Sequence, residues 1–243
     1  MLIMKNIKKK MVPLGMFCIV LLGLAYFPYI PILMLRLVGV NYDVFDITTK
    51  AFFNFFCDIG YIIILFLIYK EKVVADFKKF FKKFGSNFEL SFKYYFIGLI
   101  VMIASNLIIT VFFNNATAGN EEAVRELIDN LPLYMLFSVS IYAPITEELI
   151  FRHAIKDAVL CYGNKKLVRF IYIFISAFIF AAMHILGQTS NAIDYIYIIP
   201  YMSLGVAFAA LYSKTDNIFS SIMMHALHNT ATVILYFMAG GLV

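Results

Sequence analysis

Seven long apolar runs decide what this chain can fold into. Each run has about the 20 residues that a helix needs to cross the hydrocarbon core of a membrane, and they lie at about 12–35, 51–69, 94–113, 132–151, 169–187, 193–212 and 217–240. Hydrophobic residues make up 63% of the chain and charged residues 14%, which excludes an ordinary soluble domain. Lipid cannot satisfy open backbone groups, and the alternation typical of a membrane barrel is missing. The sequence therefore predicts an all-α, polytopic membrane helix bundle with about seven transmembrane helices.

The basic residues are distributed unevenly between the segments that connect these runs. Of the 20 Lys and Arg residues, 17 lie in the N-terminal tail and in 70–93, 152–169 and 213–216. Because basic loops stay in the cytoplasm, we expect a multi-pass protein of the cell membrane with a cytoplasmic N-terminus. The first run is too long for a signal peptide, so we expect an uncleaved helix. The net charge of +5 then reflects topology, and no nucleic-acid partner is expected.

Segment 70–93 alternates Lys and Phe with helical spacing. One interpretation is a helix on the cytoplasmic surface, held by anionic membrane lipids as partners. The other is an orientation signal with no further role.

Ionisable residues inside the runs are the next constraint, because a charge at the bilayer centre costs roughly 3 kcal/mol on insertion scales. The first three runs hold one such residue, Asp58. The later runs and their ends hold the others, including all four histidines: Glu147, Glu148, Arg152, His153, His184, His225, His228 and Asn229.

Glu147 and Glu148 form an adjacent pair of carboxylates. On a helix, Glu148 and Arg152 are four residues apart and share a face, whereas Glu147 points about 100° away. Arg152 can neutralise one carboxylate and leave the other to accept a proton, as a general base must. The alternative is a solvated helix end at the membrane surface.

The other polar groups also have two interpretations each. His184 lies one turn after Phe180 and could bond to a backbone carbonyl without further role. His225 and Asn229 are four residues apart and together offer two donors for a developing oxyanion. His225 and His228 have a spacing that suits a metal ion, or these side chains could serve polar packing between helices.

Three such groups on three helices of the C-terminal half are hard to explain separately. A C-terminal four-helix core would bring them together, and we expect this catalytic core to occupy 132–243. Residues 1–131 would supply the N-terminal helices and the basic cytoplasmic loop of the same integral membrane unit. Glu147 is expected near the cytoplasmic end of its helix, which places the site towards the cytoplasmic leaflet.

The order Glu-Glu-x-x-x-Arg, Phe-x-x-x-His and His-x-x-x-Asn resembles the CPBP (Abi) family of intramembrane proteases, discussed both as metalloproteases and as glutamic proteases. The family is related to type II CAAX prenyl endopeptidases and to membrane proteins of bacteriocin processing and immunity. The resemblance covers roughly 132–235 and rests on seven matching positions: Glu147, Glu148, Arg152, Phe180, His184, His225 and Asn229.

The resemblance implies a role for each matching residue. Glu147 would activate water and His184 would help to hold it, while His225 and Asn229 would form the oxyanion hole. Glu148 and Arg152 would pair and orient the site, with Phe180 in support. It also implies no cofactor, although the sequence leaves open a zinc ion held by Glu147, His184, His225 and His228.

The resulting hypothesis is an intramembrane endopeptidase that cleaves a membrane-associated peptide or protein tail, in bacterial peptide maturation or bacteriocin self-immunity. One alternative is a non-proteolytic bacteriocin immunity protein with the same fold. Another is a transporter, since Glu and His also build proton relays, but no inverted repeat is present. The bias towards Lys, Ile, Phe, Tyr and Asn indicates a low-GC bacterium, in which a leader peptide, bacteriocin or pheromone is a better candidate substrate than a prenylated protein.

Overall fold

The computed structural model describes residues 2–113, 118–163, 165–186 and 192–241, without the side chains of 2–10 and 192–193. Within these ranges the chain is helical and contains no strand. The helices are α1 (Leu2–Tyr26), α2 (Tyr29–Leu37), α3 (Ile47–Ile68), α4 (Lys70–Lys82), α5 (Phe84–Phe113), α6 (Gly119–Asn130), α7 (Pro132–Leu160), α8 (Lys166–Ile185), α9 (Ile198–Thr215) and α10 (Ile218–Met238). Short 3₁₀ turns at Tyr42–Val44 and Ala192–Tyr197 precede α3 and α9.

Six of the described helices are long and apolar enough to cross a membrane, and the bent pair of α1 and α2 makes up to seven. The predicted polytopic helix bundle is therefore confirmed. The prediction of one continuous helix over 12–35 is wrong, because the axis bends by 58° between Tyr26 and Tyr29. Pro28 explains the break: it has no N–H to donate and disfavours the helical conformation of Phe27 before it.

Two other predicted boundaries are also wrong. Helix α5 begins at Phe84 rather than near 94, since the helical Phe spacing of the basic segment continues directly into the apolar run. Helix α7 continues to Leu160 rather than ending near 151. Hydropathy falls at Arg152 and His153 because these side chains are polar, but both are buried within the protein.

Helix α7 is irregular on both sides of its two glutamates. It widens into π-helical turns at Ser138–Tyr142 and Glu148–Ala154. The first lies just before Pro144, which cannot donate to the carbonyl of Ser140, and a wider turn relieves the resulting clash. All seven side chains of the second π-helical segment are buried.

The main core joins both halves of the chain. Tyr61 and Leu65 of α3 pack with Leu149 and Phe151 of α7 and with Tyr212 of α9. The hydroxyl of Tyr61 also donates to the carbonyl of Val20 in α1. The N-terminal helices therefore pack on the same core as the C-terminal ones.

Helix α4 closes the turn between α9 and α10 at one end of the bundle. The Asp76 carboxylate accepts a hydrogen bond from the Ile218 N–H at 2.8 Å, and Lys79 donates to the carbonyl of Thr215 at 3.1 Å. These contacts satisfy backbone groups that helix ends leave without partners.

An ion-pair cluster lies at the same end. The Asp216 carboxylate lies 2.6 Å from Lys156 Nζ of α7 and 3.3 Å from Lys72 Nζ of α4. Three segments that the charge distribution assigned to one side of the membrane therefore meet at one residue. At the opposite end, acidic helix α6 contacts α10 through Asp129 and the Tyr236 hydroxyl, 2.8 Å apart.

Candidate active site

Glu147, His184 and His225 come together from three helices. Glu147 Oε2 of α7 lies 3.9 Å from Nε2 of His184 in α8 and 3.9 Å from Nε2 of His225 in α10. This oxygen is buried and has no hydrogen-bond partner in the part of the chain that the structure describes. A separation of 3.9 Å is too long for a direct hydrogen bond, whereas one small polar group between the atoms could contact all three.

The hydrogen bonds at the other nitrogens orient both imidazole rings. His184 Nδ1 lies 2.8 Å from the carbonyl oxygen of Phe180, which can only accept, so Nδ1 carries the hydrogen. His225 Nδ1 lies 3.0 Å from Glu148 Oε1, and an ionised carboxylate likewise only accepts. Both rings therefore present Nε2 to Glu147.

Glu148, the residue next to Glu147, forms a fully buried ion pair with Arg152 one turn further along α7. Arg152 Nε donates to Glu148 Oε2 at 3.0 Å, and both side chains are 0% exposed. Arg152 Nη1 donates to Ser176 Oγ at 3.0 Å, and that hydroxyl donates to the Phe151 carbonyl at 2.6 Å. The alternative of a solvated helix end is therefore wrong: one carboxylate of the pair is held by a buried arginine, and Glu147 is left outside this pair.

Aromatic rings enclose the charged groups. The Arg152 guanidinium lies 4.6 Å from the centre of the Phe180 ring, a cation–π distance. Phe208 stacks on His225 with ring centres 5.2 Å apart, and Tyr201 stacks on His184 at 4.8 Å. These contacts limit the rotation of both imidazoles.

Asn229 and His228 have partners of their own. Asn229 Nδ2 donates to the carbonyl of Val139, in the first π-helical segment of α7, at 2.8 Å. His225 and Asn229 thus both face α7. His228 instead faces α5, where its Nδ1 lies 3.4 Å from the Tyr95 hydroxyl.

The residues as placed do not fit a zinc ion. Ligands at zinc distances in tetrahedral arrangement lie roughly 3.4 Å from one another, whereas Glu147 Oε2 is 3.9 Å from either imidazole nitrogen. Within the described ranges, no three His, Cys, Asp or Glu side chains are arranged to hold a metal ion.

The site lies midway along α7. Glu147 was expected near the cytoplasmic end of its helix, and this is wrong because α7 continues 13 residues further to Leu160, a rise of about 20 Å. A cavity of about 10 Å³, roughly the space of one water molecule, lies beside His184 and is lined also by Asn120, Asp194 and Tyr201. It lies towards the end of the bundle that carries α6.

Three residues of the site were not predicted from the sequence: Ser176, Tyr201 and Phe208. Ser176 is a buried polar residue inside an apolar run, and the rule that singled out the histidines could have found it. The two aromatic residues give no such signal, because 17% of the chain is aromatic.

The fold and site together define a multi-pass membrane protein with a polar Glu–His site inside its helix bundle. Residues 129–231, which hold every predicted site residue, match the model of the family described as Rce1-like, type II CAAX prenyl endopeptidase. Residues 129–231 are therefore similar to this protease family, and the predicted resemblance is confirmed.

Curated relatives agree with this assignment. YdiL of Bacillus subtilis, whose name marks it as a candidate membrane peptidase, is 32% identical over 58% of this chain and 53% of its own length. The membrane-embedded CAAX protease MroQ of Staphylococcus aureus is 28% identical over 55% of this chain and 51% of its own. The chain therefore spans about half the length of these two relatives.

A third relative is matched over more of its length. The UPF0177 protein YxdF of Lactococcus lactis is 25% identical over 69% of this chain and 88% of its own length. No solved structure matches the chain.

Proposed function

We propose that this protein is an intramembrane endopeptidase in which Glu147 activates water for attack on a peptide bond. The observation that carries the proposal is the buried Glu147 oxygen, which lies 3.9 Å from two imidazole nitrogens and has no partner among the described residues. The family match to a group of endopeptidases supports the reaction class.

The first step is a proton transfer. Glu147 takes a proton from the water molecule, and the resulting hydroxide attacks the carbonyl carbon of the substrate. The electron pair of the C=O bond moves to oxygen and forms a tetrahedral oxyanion. His184, with Nδ1 committed to the Phe180 carbonyl, holds the water through Nε2. General base catalysis of this kind contributes roughly 10²–10⁴ in rate.

The second step is breakdown of the tetrahedral intermediate. Glu147 returns its proton to the leaving amide nitrogen, the C–N bond breaks, and the products are a carboxylate and an amine. His225 can donate to the oxyanion from Nε2 when both ring nitrogens carry hydrogens, because Glu148 accepts from Nδ1. Asn229 uses one amide hydrogen on the Val139 carbonyl and has a second for the oxyanion.

The buried ion pair then has a positioning role. Arg152 holds one oxygen of Glu148, and the other oxygen of Glu148 holds His225. Preorganised donors of this kind cost no reorganisation at the moment of reaction.

We further propose that the end of the bundle carrying α4 faces the cytoplasm, supported by the 17 basic residues of the tail and loops assigned to that side. The substrate class that suits a site midway through a helix bundle is a membrane-associated peptide or protein tail. Maturation of a bacterial peptide, or self-immunity by cleaving a bacteriocin, fits this class.

The test is cleavage by the full chain reconstituted in lipid, probed with a library of quenched fluorogenic peptides that carry an apolar anchor. We expect Glu147→Gln to lower cleavage at least about a hundredfold. Glu121→Gln, in an exposed pair with Arg125 on α6, is the matched control and should keep full activity. Full cleavage by a well-folded Glu147→Gln protein would contradict the proposal.

A cellular measurement separates the non-proteolytic alternative. If the protein protects its host from a bacteriocin, protection should be lost in Glu147→Gln cells with unchanged protein levels. Intact protection by this variant would favour an immunity protein that binds rather than cleaves.

A further inference from the structure

Helix α4 has an inner face that is used in folding and an outer face that is not. Val73, Asp76 and Phe80 are buried against the bundle. Lys72 and Lys79 also turn inward and donate to backbone carbonyls at the end of α9. These contacts account for the residues on the inner face of α4. They do not account for the exposed residues on its outer face.

Two exposed lysines of α4 and the lysine directly after its last residue have no acidic partners among the described residues. Lys78, Lys82 and Lys83 are exposed, and in the described ranges no carboxylate lies within ion-pairing distance of them. Lys93, by contrast, pairs with Glu89 at 3.0 Å. The three lysines therefore concentrate positive charge at the junction of α4 and α5.

A row of exposed phenylalanines runs beside these lysines and continues along α5. Each ring contacts the next at 4.6–6.1 Å between centres, in the order Phe77, Phe81, Phe84, Phe88, Phe92 and Phe96. All six are between 37% and 51% exposed. We call these six rings, with the three lysines, the Phe–Lys surface.

The Phe–Lys surface is continuous with the surface that faces lipid. Phe92 and Phe96 lie within α5, one of the membrane-crossing helices, of which only 11% of the most apolar window is buried. A helix this apolar and this exposed must be covered by acyl chains. The part of the row on α4 extends the same apolar strip to the level of the three lysines.

We propose that the Phe–Lys surface is a binding site for anionic phospholipid, with headgroup phosphates on Lys78, Lys82 and Lys83 and the phenylalanines among the acyl chains. Charge complementarity and continuity with α5 identify the occupant as lipid. Each basic residue near an anionic membrane surface contributes about 1 kcal/mol, or roughly fivefold in affinity. The inference is independent of the proposed peptidase activity.

The chain offers a direct test because it contains no tryptophan. Phe84→Trp places the protein's one tryptophan in the middle of the surface, and its emission is excited separately from that of the tyrosines. The full chain is reconstituted in vesicles of equal phosphatidylglycerol and phosphatidylcholine, with one or the other lipid brominated so that it quenches the tryptophan. We expect brominated phosphatidylglycerol to quench more, corresponding to a preference of about tenfold or more.

Two controls distinguish a site from general attraction. Phe112→Trp reports from the opposite end of the same helix, where the ring is 75% exposed, and should show no preference. Adding Lys78→Gln, Lys82→Gln and Lys83→Gln to Phe84→Trp should abolish the preference. Adding Lys93→Gln, Lys165→Gln and Lys166→Gln instead changes the net charge equally and should retain it.

Three results would overturn the proposal. The first is equal quenching of Phe84→Trp by both lipids. The second is the same loss of preference in both triple-lysine variants, which would mean that net charge alone attracts the lipid. The third is no quenching by either lipid, which would place the surface in water or against a protein.

Discussion

Helices α7 and α5 show opposite relations between hydropathy and burial. The most apolar window of α5 has a mean hydropathy of 2.5 and is 11% buried, whereas that of α7 has a mean hydropathy of 1.2 and is 39% buried. The less apolar helix is therefore the more buried one. In a soluble protein the order would be reversed.

This difference from soluble proteins arises because lipid, rather than water, surrounds the helices. Lipid accepts apolar side chains as readily as a protein core does, so hydropathy does not drive a helix inward. Polar side chains are excluded from lipid and must find partners inside the bundle. In this protein, Glu148, Arg152 and Ser176 mark the interior more clearly than any apolar residue. Matched substitutions in the interior and on the periphery test this view.

The largest difference in lost stability is expected between substitutions of Arg152 and Arg125. Both arginines pair with a glutamate four residues earlier. Arg152→Ala leaves Glu148 as a buried charge without its partner, which should cost about 3–5 kcal/mol. Arg125→Ala breaks the pair with Glu121, whose side chains are 47% and 44% exposed, and should cost less than about 1 kcal/mol. Unfolding of the lipid-reconstituted proteins measures both values.

A double variant sharpens this prediction. Glu148→Gln combined with Arg152→Met removes both buried charges, so it should be more stable than Arg152→Ala. Equal losses of unfolding free energy for Arg152→Ala and Arg125→Ala would show that the interior of the bundle is hydrated. Burial would then not determine how much stability is lost with the ion pair.

The next largest difference in stability is expected between substitutions of two glycines on α5. A Cβ atom at Gly98 would lie 2.5 Å from Ala207 Cβ of α9, whereas one at Gly85 would meet nothing within 4 Å. Gly98→Ala should therefore destabilise the protein by roughly 1–3 kcal/mol through overpacking. Gly85→Ala should be neutral or stabilising by up to about 1 kcal/mol, because alanine favours the helix.

Moving the methyl group from α9 to α5 tests whether this contact causes the loss of stability. Gly98→Ala with Ala207→Gly restores the space between α5 and α9, so we expect recovery of most of the lost stability in the same unfolding measurement. No recovery would mean that the loss comes from the helix backbone rather than from the contact.

The sequence predicted the helix bundle and most of its spans because the need for about 20 apolar residues is strict. It failed where another rule competed with hydropathy. At Phe27–Pro28 the backbone constraint of proline breaks an apolar run, and at Arg152–Leu160 burial inside the protein allows a polar helix to continue. The first π-helical turn of α7 lies just before Pro144, whereas the second, at Glu148–Ala154, has no simple sequence signal.

The sequence predicted which residues form the candidate site. It did not predict their hydrogen-bond partners or the rings that pack on them. Glu147, His184 and His225 were singled out by the cost of placing polar groups in lipid, and the structure brings them together. The partners of Asn229 and His228 depend on the rotation of α10, which residue spacing alone does not fix. The contacts of Phe208 and Tyr201 depend on packing in a chain full of aromatic rings.

A smaller loss of stability is expected in the interior at Ser176, whose hydroxyl accepts a hydrogen bond from Arg152. Ser176→Ala removes the acceptor for Arg152 Nη1 and the donor to the Phe151 carbonyl, which should cost roughly 1–3 kcal/mol. Ser105, on outer helix α5, donates only to the Met102 carbonyl of its own helix at 2.8 Å. Ser105→Ala should change the unfolding free energy by less than about 0.5 kcal/mol, and similar losses for the two variants would contradict the comparison.

The smallest effect is expected at Asp216, at the exposed end of the bundle. Partial burial raises its pKa, but the hydrogen bond and charge of Lys156, together with Lys72, lower it below the ordinary value of 3.8 overall. A carboxyl whose folded pKa is lowered stabilises the protein above its ordinary pKa and loses this contribution as the pH falls through the folded pKa. Because its side chain is 64% exposed, Asp216→Asn should cost less than about 1 kcal/mol at pH 7.

Asparagine is the appropriate replacement because Asp216 has a φ of 47°, and asparagine tolerates this left-handed conformation. The difference in unfolding free energy between the two proteins should be constant at neutral pH and shrink below about pH 4. Added salt should shrink it too, since exposed ion pairs are screened. A difference that persists at pH 3 and in high salt would mean that Asp216 acts through the shape of the α9–α10 turn and not through its charge.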